Sequence, residues 1–200
     1  SSDVCSSDLC RLIKADHIDV SRLPECDFDD PLGEATGAGV IFGASGGVLE
    51  AALRTAYHTV TSENPEIGEQ SPLKVLRQIG SFKELEIDIK GVKLHCAALS
   101  SLGEARRLIQ AMKRGECHYD FVEVMACPGG CVNCGGQPIR PSFQNKPNDC
   151  ADRDQCLRGY DARSAIRFSH ENKAVQTLYD EYLEAPLSDR AHHLLHVEEY

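Results

Sequence analysis

"VKLHCAALSSLGEARRLIQAMKRGECHYDFVEVMA", Val92 to Ala126, decides the fold. "VKLHCAAL" is a short apolar run after Gly91 and reads as a strand. Ser101 with Glu104 forms a capping box. It opens a helix to about Lys113 that carries Ala105, Leu108, Ile109 and Met112 on one face. "YDFVEVMA" is a further strand. Strand, helix, strand predicts a parallel βαβ unit and an α/β fold class. Cys127 then falls just past the carboxyl end of a parallel strand, where open α/β sheets place their ligands.

Upstream, "ELEIDIKG" alternates Leu85, Ile87 and Ile89 with Glu84, Glu86 and Asp88, the pattern of a half-buried strand. "ENPEIGEQSP" is a loop. A short strand is expected at Val40 to Phe42, between glycine-rich turns. A helix is expected from Gly47 to about Thr59, with Leu49, Ala52, Leu53, Ala56 and Tyr57 on one stripe. Gly37, Gly39, Gly43, Gly46 and Gly47 match neither the P-loop nor the dinucleotide fingerprint, so they point to close backbone packing. The opening "SSDVCSSDLC" repeats Ser-Ser-Asp without periodicity and is left outside the fold, with Cys5 and Cys10 poor ligand candidates.

Downstream, "IRPSFQNKPNDCADRDQ" reads as a crossing loop. Helices are expected at about Asp161 to Phe168 and at Asn172 to Glu184. The second carries Val175, Leu178, Tyr179, Tyr182 and Leu183, and Pro186 marks its end. His192 and His196 stand one helical turn apart without the glutamate of a zincin pattern, which favours a surface or packing role.

The 200 residues carry a formal net charge of -10, which argues against nucleic acid or an anionic membrane surface as partner. No apolar run has the length of a membrane span, and the start carries no signal-like segment. A cytoplasmic location is expected. Ten cysteines are many, and three of them, Cys127, Cys131 and Cys134, cluster in "MACPGGCVNCGGQP". Clustering favours metal over disulfides, while Cys26, Cys96 and Cys117 read as small apolar residues. Zinc would want a fourth ligand, such as Cys150 or Cys156 folded back. The C-x3-C-x2-C string also has the spacing of radical S-adenosylmethionine enzymes, although Asn133 stands where those usually carry an aromatic. An iron–sulfur cluster is the third candidate. Pro128-Gly129-Gly130 would let backbone N–H groups approach cluster sulfurs.

"MACPGGCVNCGGQP" resembles the third cysteine motif of the iron-only (FeFe) hydrogenases. "DDPLGEATGAGVIFGASGGVLEAALRTAY" is similar to that family's glycine-rich stretch, and "SHENKAVQTLYDEYLEAPLSDRAHHLLH" to its small-subunit-like tail. The likeness runs from about Asp16 to Tyr200 in family order. It implies residues 11–142 as the C-terminal lobe of the H-cluster domain, 143–200 as a helical tail, and 1–10 outside the native fold.

The resemblance also implies a site. Cys127 would ligate a 4Fe–4S cubane, with Gly129 and Gly130 beside it. Cys131 would ligate the same cubane and bridge it to a two-iron subsite bearing carbon monoxide, cyanide and a bridging dithiolate. Met125, Phe42 and Val48 would wall the dry pocket around that subsite, where reversible proton reduction to dihydrogen takes place. Two further cubane cysteines belong to family motifs, Thr-Ser-Cys-Cys-Pro and Pro-Cys-x-x-Lys-x-x-Glu, that do not occur here. The chain therefore reads as the C-terminal part of an anaerobic hydrogenase, with ferredoxin or an NADH-oxidising subunit as electron partner and the N-terminal half of the same protein as its complement. Cys134 replaces a family glycine, and its role stays open. The alternatives are a hydrogenase-like protein of iron–sulfur assembly or prelamin binding, and a low-turnover sensory hydrogenase.

Overall fold

Residues 82–89 alternate buried and exposed, and they form strand β1, Phe82–Ile89. Lys90 and Gly91 turn the chain through left-handed φ values of 50° and 89°, the geometry of a tight hairpin, with the Gly91 N–H bonded to Asp88 Oδ1 at 2.7 Å. Strand β2, Val92–Ser100, returns antiparallel, pairing Phe82 with Leu99 and Ile89 with Val92. Strand β3, Phe121–Met125, lies parallel to β2, with Ser100 opposite Met125. The sheet order is β1-β2-β3. This computed structural model describes residues 6–27, 35–68, 70–78, 80–134, 137 and 149–196.

Seven α-helices accompany the sheet among the described residues: α1 Ser6–Ala15, α2 Gly37–Val40, α3 Gly47–Thr61, α4 Leu102–Lys113, α5 Asp149–Arg163, α6 Lys173–Leu178 and α7 Asp189–Leu195. Helix α3 covers one face of the sheet, where Leu49 and Leu53 meet Leu73, Leu76, Leu85, Ile87, Ile89, Cys96 and Ala98. Each such Leu or Ile stabilises the fold by about 1.5–3 kcal/mol relative to exposure. Alternation along β2 sends Leu99 to the other face, against Ala105 and Leu108 of α4. The Ser101 hydroxyl caps α4 by accepting the Glu104 N–H at 3.2 Å. The expected βαβ unit is therefore present as β2-α4-β3, although Ile109 and Met112 of α4 face solvent. The expected cap and strands match closely because each is set by local pattern.

Several expectations change. Val40 to Phe42 is not a strand: α2 runs into a 3-10 turn at Ile41–Gly43. Thr36 caps α2 by accepting the Gly39 N–H at 3.1 Å, so the backbone closes into helix before the apolar run begins. The opening stretch holds α1, whose Asp8 and Lys14 suit its two ends. Cys26 is exposed, whereas Cys96 is fully buried. The tail helix expected from Asp161 is α5, in which Asp161 belongs to the last turn. Its carboxylate points inward to Arg54 and Arg167 and leaves no acceptor to start a helix. The next helix is split into α6, capped by Asn172 accepting the Val175 N–H at 3.2 Å, and a π turn at Tyr179–Leu183. Of its apolar stripe only Leu183 is buried. Residues 139–148 of the expected crossing loop lie outside the described residues, as do 29–34 of the glycine-rich stretch, and the loop's last residues, 149–155, are helical in α5.

The glycines pack as expected. A Cβ on Gly47 would overlap the Ile41 carbonyl oxygen, and one on Gly46 would lie 2.5 Å from the Leu76 carbonyl oxygen. Gly37 abuts the Asp161 side chain, which carries the glycine-rich segment against the tail. His192 and His196 stack with ring centroids 4.6 Å apart, in keeping with a packing role.

Candidate functional site

Strand β3 ends at Met125, and the cysteine loop begins at once. The loop is folded by its own backbone. Gly130 N–H donates to the Cys127 carbonyl at 3.0 Å, Asn133 N–H to the Gly130 carbonyl at 3.0 Å and Cys134 N–H to the Cys131 carbonyl at 3.2 Å. The Asn133 amide adds a bond to the Pro128 carbonyl at 3.1 Å. Gly129 and Gly130 take φ of 83° and 93°, a region that side-chain-bearing residues avoid. Cys131 is exposed, while Cys127, Cys134 and Met125 are half-buried.

Two glycines seat this loop on the segment that carries Phe42 and Val48. The Ser45 N–H donates to the Gly129 carbonyl at 3.1 Å. A Cβ on Gly130 would stand 2.6 Å from the Ser45 nitrogen. Phe42 and Val48 share the wall of an apolar groove of about 600 Å³ with Ala51, Ala52 and Ala56. The structure thus brings the cysteine loop and the Phe42–Val48 segment together, though they are far apart in sequence. Gly129 and Gly130, expected beside a cofactor, also make the contact that joins the two segments.

A buried carboxylate fixes the same joint. Glu123, in the middle of β3, accepts the Gly46 N–H at 2.6 Å and the Leu49 N–H at 2.7 Å. It caps the positive end of α3, the helix on which Val48 sits. Strand alternation places Glu123 on the α3 side of β3, a signal available in "FVEVM" but unread because a charge in a strand suggests solvent. Lys83 is also buried and donates to the Ser45 carbonyl at 2.5 Å and the Leu76 carbonyl at 2.8 Å. Burial pushes its ammonium pKa down. Cys150 does fold back toward the loop: its sulfur is 2.5 Å from where a Gly129 Cβ would be. Burial and Asp154 push its thiol pKa up, which keeps it protonated.

An ionic cluster locks α3 to the tail. Arg54, with no exposed surface, bonds Glu50 at 2.7 Å and Asp161 at 2.9 Å. Arg77 and Arg158 close on Glu50 at 2.9 and 2.5 Å, and Arg167 on Asp161 at 2.7 Å. Burial alone would raise the Glu50 and Asp161 carboxyl pKa values, but the surrounding guanidiniums outweigh it and hold both below the ordinary range.

Among the described residues no three His, Cys, Asp or Glu side chains are arranged to hold a metal ion. No helix among them is long and apolar enough to cross a membrane.

An α/β lobe with a cysteine loop at the end of a parallel strand, and a helical tail locked to it, defines a class. The chain belongs to the iron-only hydrogenase family: residues 4–135 match the model "iron only hydrogenase large subunit, C-terminal domain". Residues 150–198 match the iron hydrogenase small subunit. It is 39% identical to the NADP-reducing hydrogenase subunit HndD of Solidesulfovibrio fructosivorans over 96% of this chain and 32% of that protein. It is 29% identical to the cytosolic Fe-S cluster assembly factor narfl of Xenopus tropicalis over 98% of this chain and 40% of that protein. Among solved structures it superposes on a variant of the [FeFe]-hydrogenase HydA1 from Chlamydomonas reinhardtii with a TM-score of 0.69 and 36% identity, covering 96% of this chain and 53% of that one. The chain spans about a third of the length of the curated hydrogenases it matches.

Proposed function

We propose that this chain is the C-terminal part of an iron-only hydrogenase that interconverts protons and dihydrogen, residues 11–142 forming its lobe and 143–200 its tail. The observation that carries this reading is the joint between the cysteine loop and the Phe42–Val48 segment, made by Gly129, Gly130 and Ser45. It joins the backbone of the thiol-bearing loop to the segment that carries the apolar side chains, which supports their serving one site. In this reading Cys127 and Cys131 would hold a 4Fe–4S cluster as thiolates, and Cys131 would also serve a two-iron subsite. When bound, that subsite, with its carbon monoxide, cyanide and dithiolate ligands, supplies the redox chemistry. Met125, Phe42 and Val48 exclude water and offer no competing donor. Gly129 and Gly130 leave the loop backbone free to approach the cluster sulfurs. Cys134 is left outside the ligand set. The remaining cysteine ligands come from other segments of the polypeptide, and electrons from a ferredoxin or an NADH-oxidising subunit in the cytoplasm.

A second reading is favoured by the match to narfl along nearly all of the chain: the same loop holding a cluster in an iron–sulfur assembly protein without hydrogen turnover. Anaerobic reconstitution of the protein with its upstream cysteine motifs, followed by a hydrogen assay, separates the two. Steady hydrogen turnover is the expected result. A stable cluster with no turnover would overturn the hydrogenase reading and leave the assembly one. The chain by itself, with two of the thiolates, is expected to be inactive.

A further inference from the structure

His58, on α3, and His170, in the 3-10 turn Ser169–Glu171 of the tail, stack with centroids 4.1 Å apart and planes inclined by 17°. The hydrogen bonds of His170 place a proton on one of its ring nitrogens. His170 Nε2 lies 2.9 Å from Asn64 Oδ1, and the Asn64 amide donates to Glu171 Oε1 at 2.7 Å. Asn64 Oδ1 only accepts, so Nε2 carries the proton. Nδ1, 3.2 Å from the Thr55 hydroxyl, accepts from it when the ring is neutral. His58 Nδ1 is buried without a hydrogen-bond partner, so a proton there would be an unsatisfied buried cation. Ser169, next to His170, lines the apolar groove together with Phe42, Val48, Thr55 and Thr59.

We propose that the His58–His170 stack is a proton-operated latch, which holds the tail segment 168–172 over one end of the apolar groove while both rings are neutral and releases it on acidification. Two imidazolium rings at this separation repel, and the stack admits one added proton at most. The charged groups on the elements around it are Arg54 on α3, Glu63 after that helix, Asp161 on α5, Arg167 and Glu171 in the tail segment and Lys173 on α6. Arg54, Asp161 and Arg167 are bonded to one another. Glu171 alone favours a charged His170, against burial and His58, and the two outweigh it: the His170 pKa lies below its ordinary 6.5. A ring whose pKa is lowered on docking stabilises the docked state fully above about 6.5 and loses that contribution as pH falls through the lowered value. The ionic cluster keeps its charges in this range, so α5 stays attached while the segment beyond it opens.

Amide hydrogen exchange, corrected for intrinsic rates, tests this on the whole protein. The reporters are the Glu171, Asn172 and Gln176 amides, bonded to the Phe168, Ser169 and Asn172 carbonyls. Their protection is expected to fall by about tenfold between about pH 7.5 and pH 5.5, while amides of β1 and β2 keep theirs. In His58→Phe, which keeps a stacked ring and removes one charge, the fall is expected to shrink, since the burial of His170 remains. Protection that does not change with pH, or the same fall in the variant, would overturn the latch. If His58→Phe loses protection in the strands as well, NMR titration of wild-type His170 decides: titration below the ordinary histidine range supports the latch, and titration at the ordinary value overturns it.

Discussion

Gly130 stands against Ser45 so closely that a Cβ on the glycine would lie 2.6 Å from the serine nitrogen and 2.9 Å from the Ala44 carbonyl carbon. The cysteine loop and the Phe42–Val48 segment are thus joined backbone to backbone. Gly130→Ala would add this collision to a φ of 93°. We expect it to destabilise the fold by about 3 kcal/mol, read by urea unfolding, because neither partner is a flexible side chain. An unchanged midpoint would mean the joint yields freely.

Glu123 makes a second tie to the same segment, through the Gly46 and Leu49 N–H groups. Glu123→Gln keeps one acceptor and is expected to cost about 1 kcal/mol. Glu123→Ala leaves two buried donors bare and is expected to cost about 2–4 kcal/mol. A Glu123→Gln variant as stable as the parent in thermal or urea unfolding would show that the carboxylate acts only by filling space.

Much of this architecture is legible in the sequence, and what is not has a physical cause. Strands β1 and β2, the α4 cap and the position of Cys127 follow from alternation and capping, which act over a few residues. Val40–Phe42 misleads because three apolar residues fit a strand or a tight helix equally well, and Thr36 decides between them. Glu50, Arg54, Glu123 and Asp161 look like surface charges in a linear text. Their burial follows from partners as far apart as Arg54 and Asp161, which no local pattern reports. The cysteine loop itself was readable from the thiol spacing and the family likeness, but its seating on Ser45 was not.

The ionic cluster gives a pH dependence. Glu50 and Asp161 are held below their ordinary values of 4.5 and 3.8, so their contribution is present above those values and is lost as pH falls through the lowered ones. Stability is expected to drop steeply below about pH 4.5, and Asp161→Asn is expected to lessen the slope while costing about 3–5 kcal/mol near neutral pH. Unfolding measured across that range checks both. A slope identical in the variant would place the acid sensitivity elsewhere.

Cys127 and Cys131 are proposed to hold an iron–sulfur cluster that Cys134 does not ligate. Iron and sulfide content after anaerobic reconstitution, in the protein with its upstream motifs, tests this most directly. Cys131→Ser is expected to lose the most, since its sulfur would serve both parts of the site. Cys127→Ser is expected to lose most of the cluster, and Cys134→Gly to keep it with at most a shifted potential. Equal and complete loss in all three, Cys134→Gly included, would contradict the account.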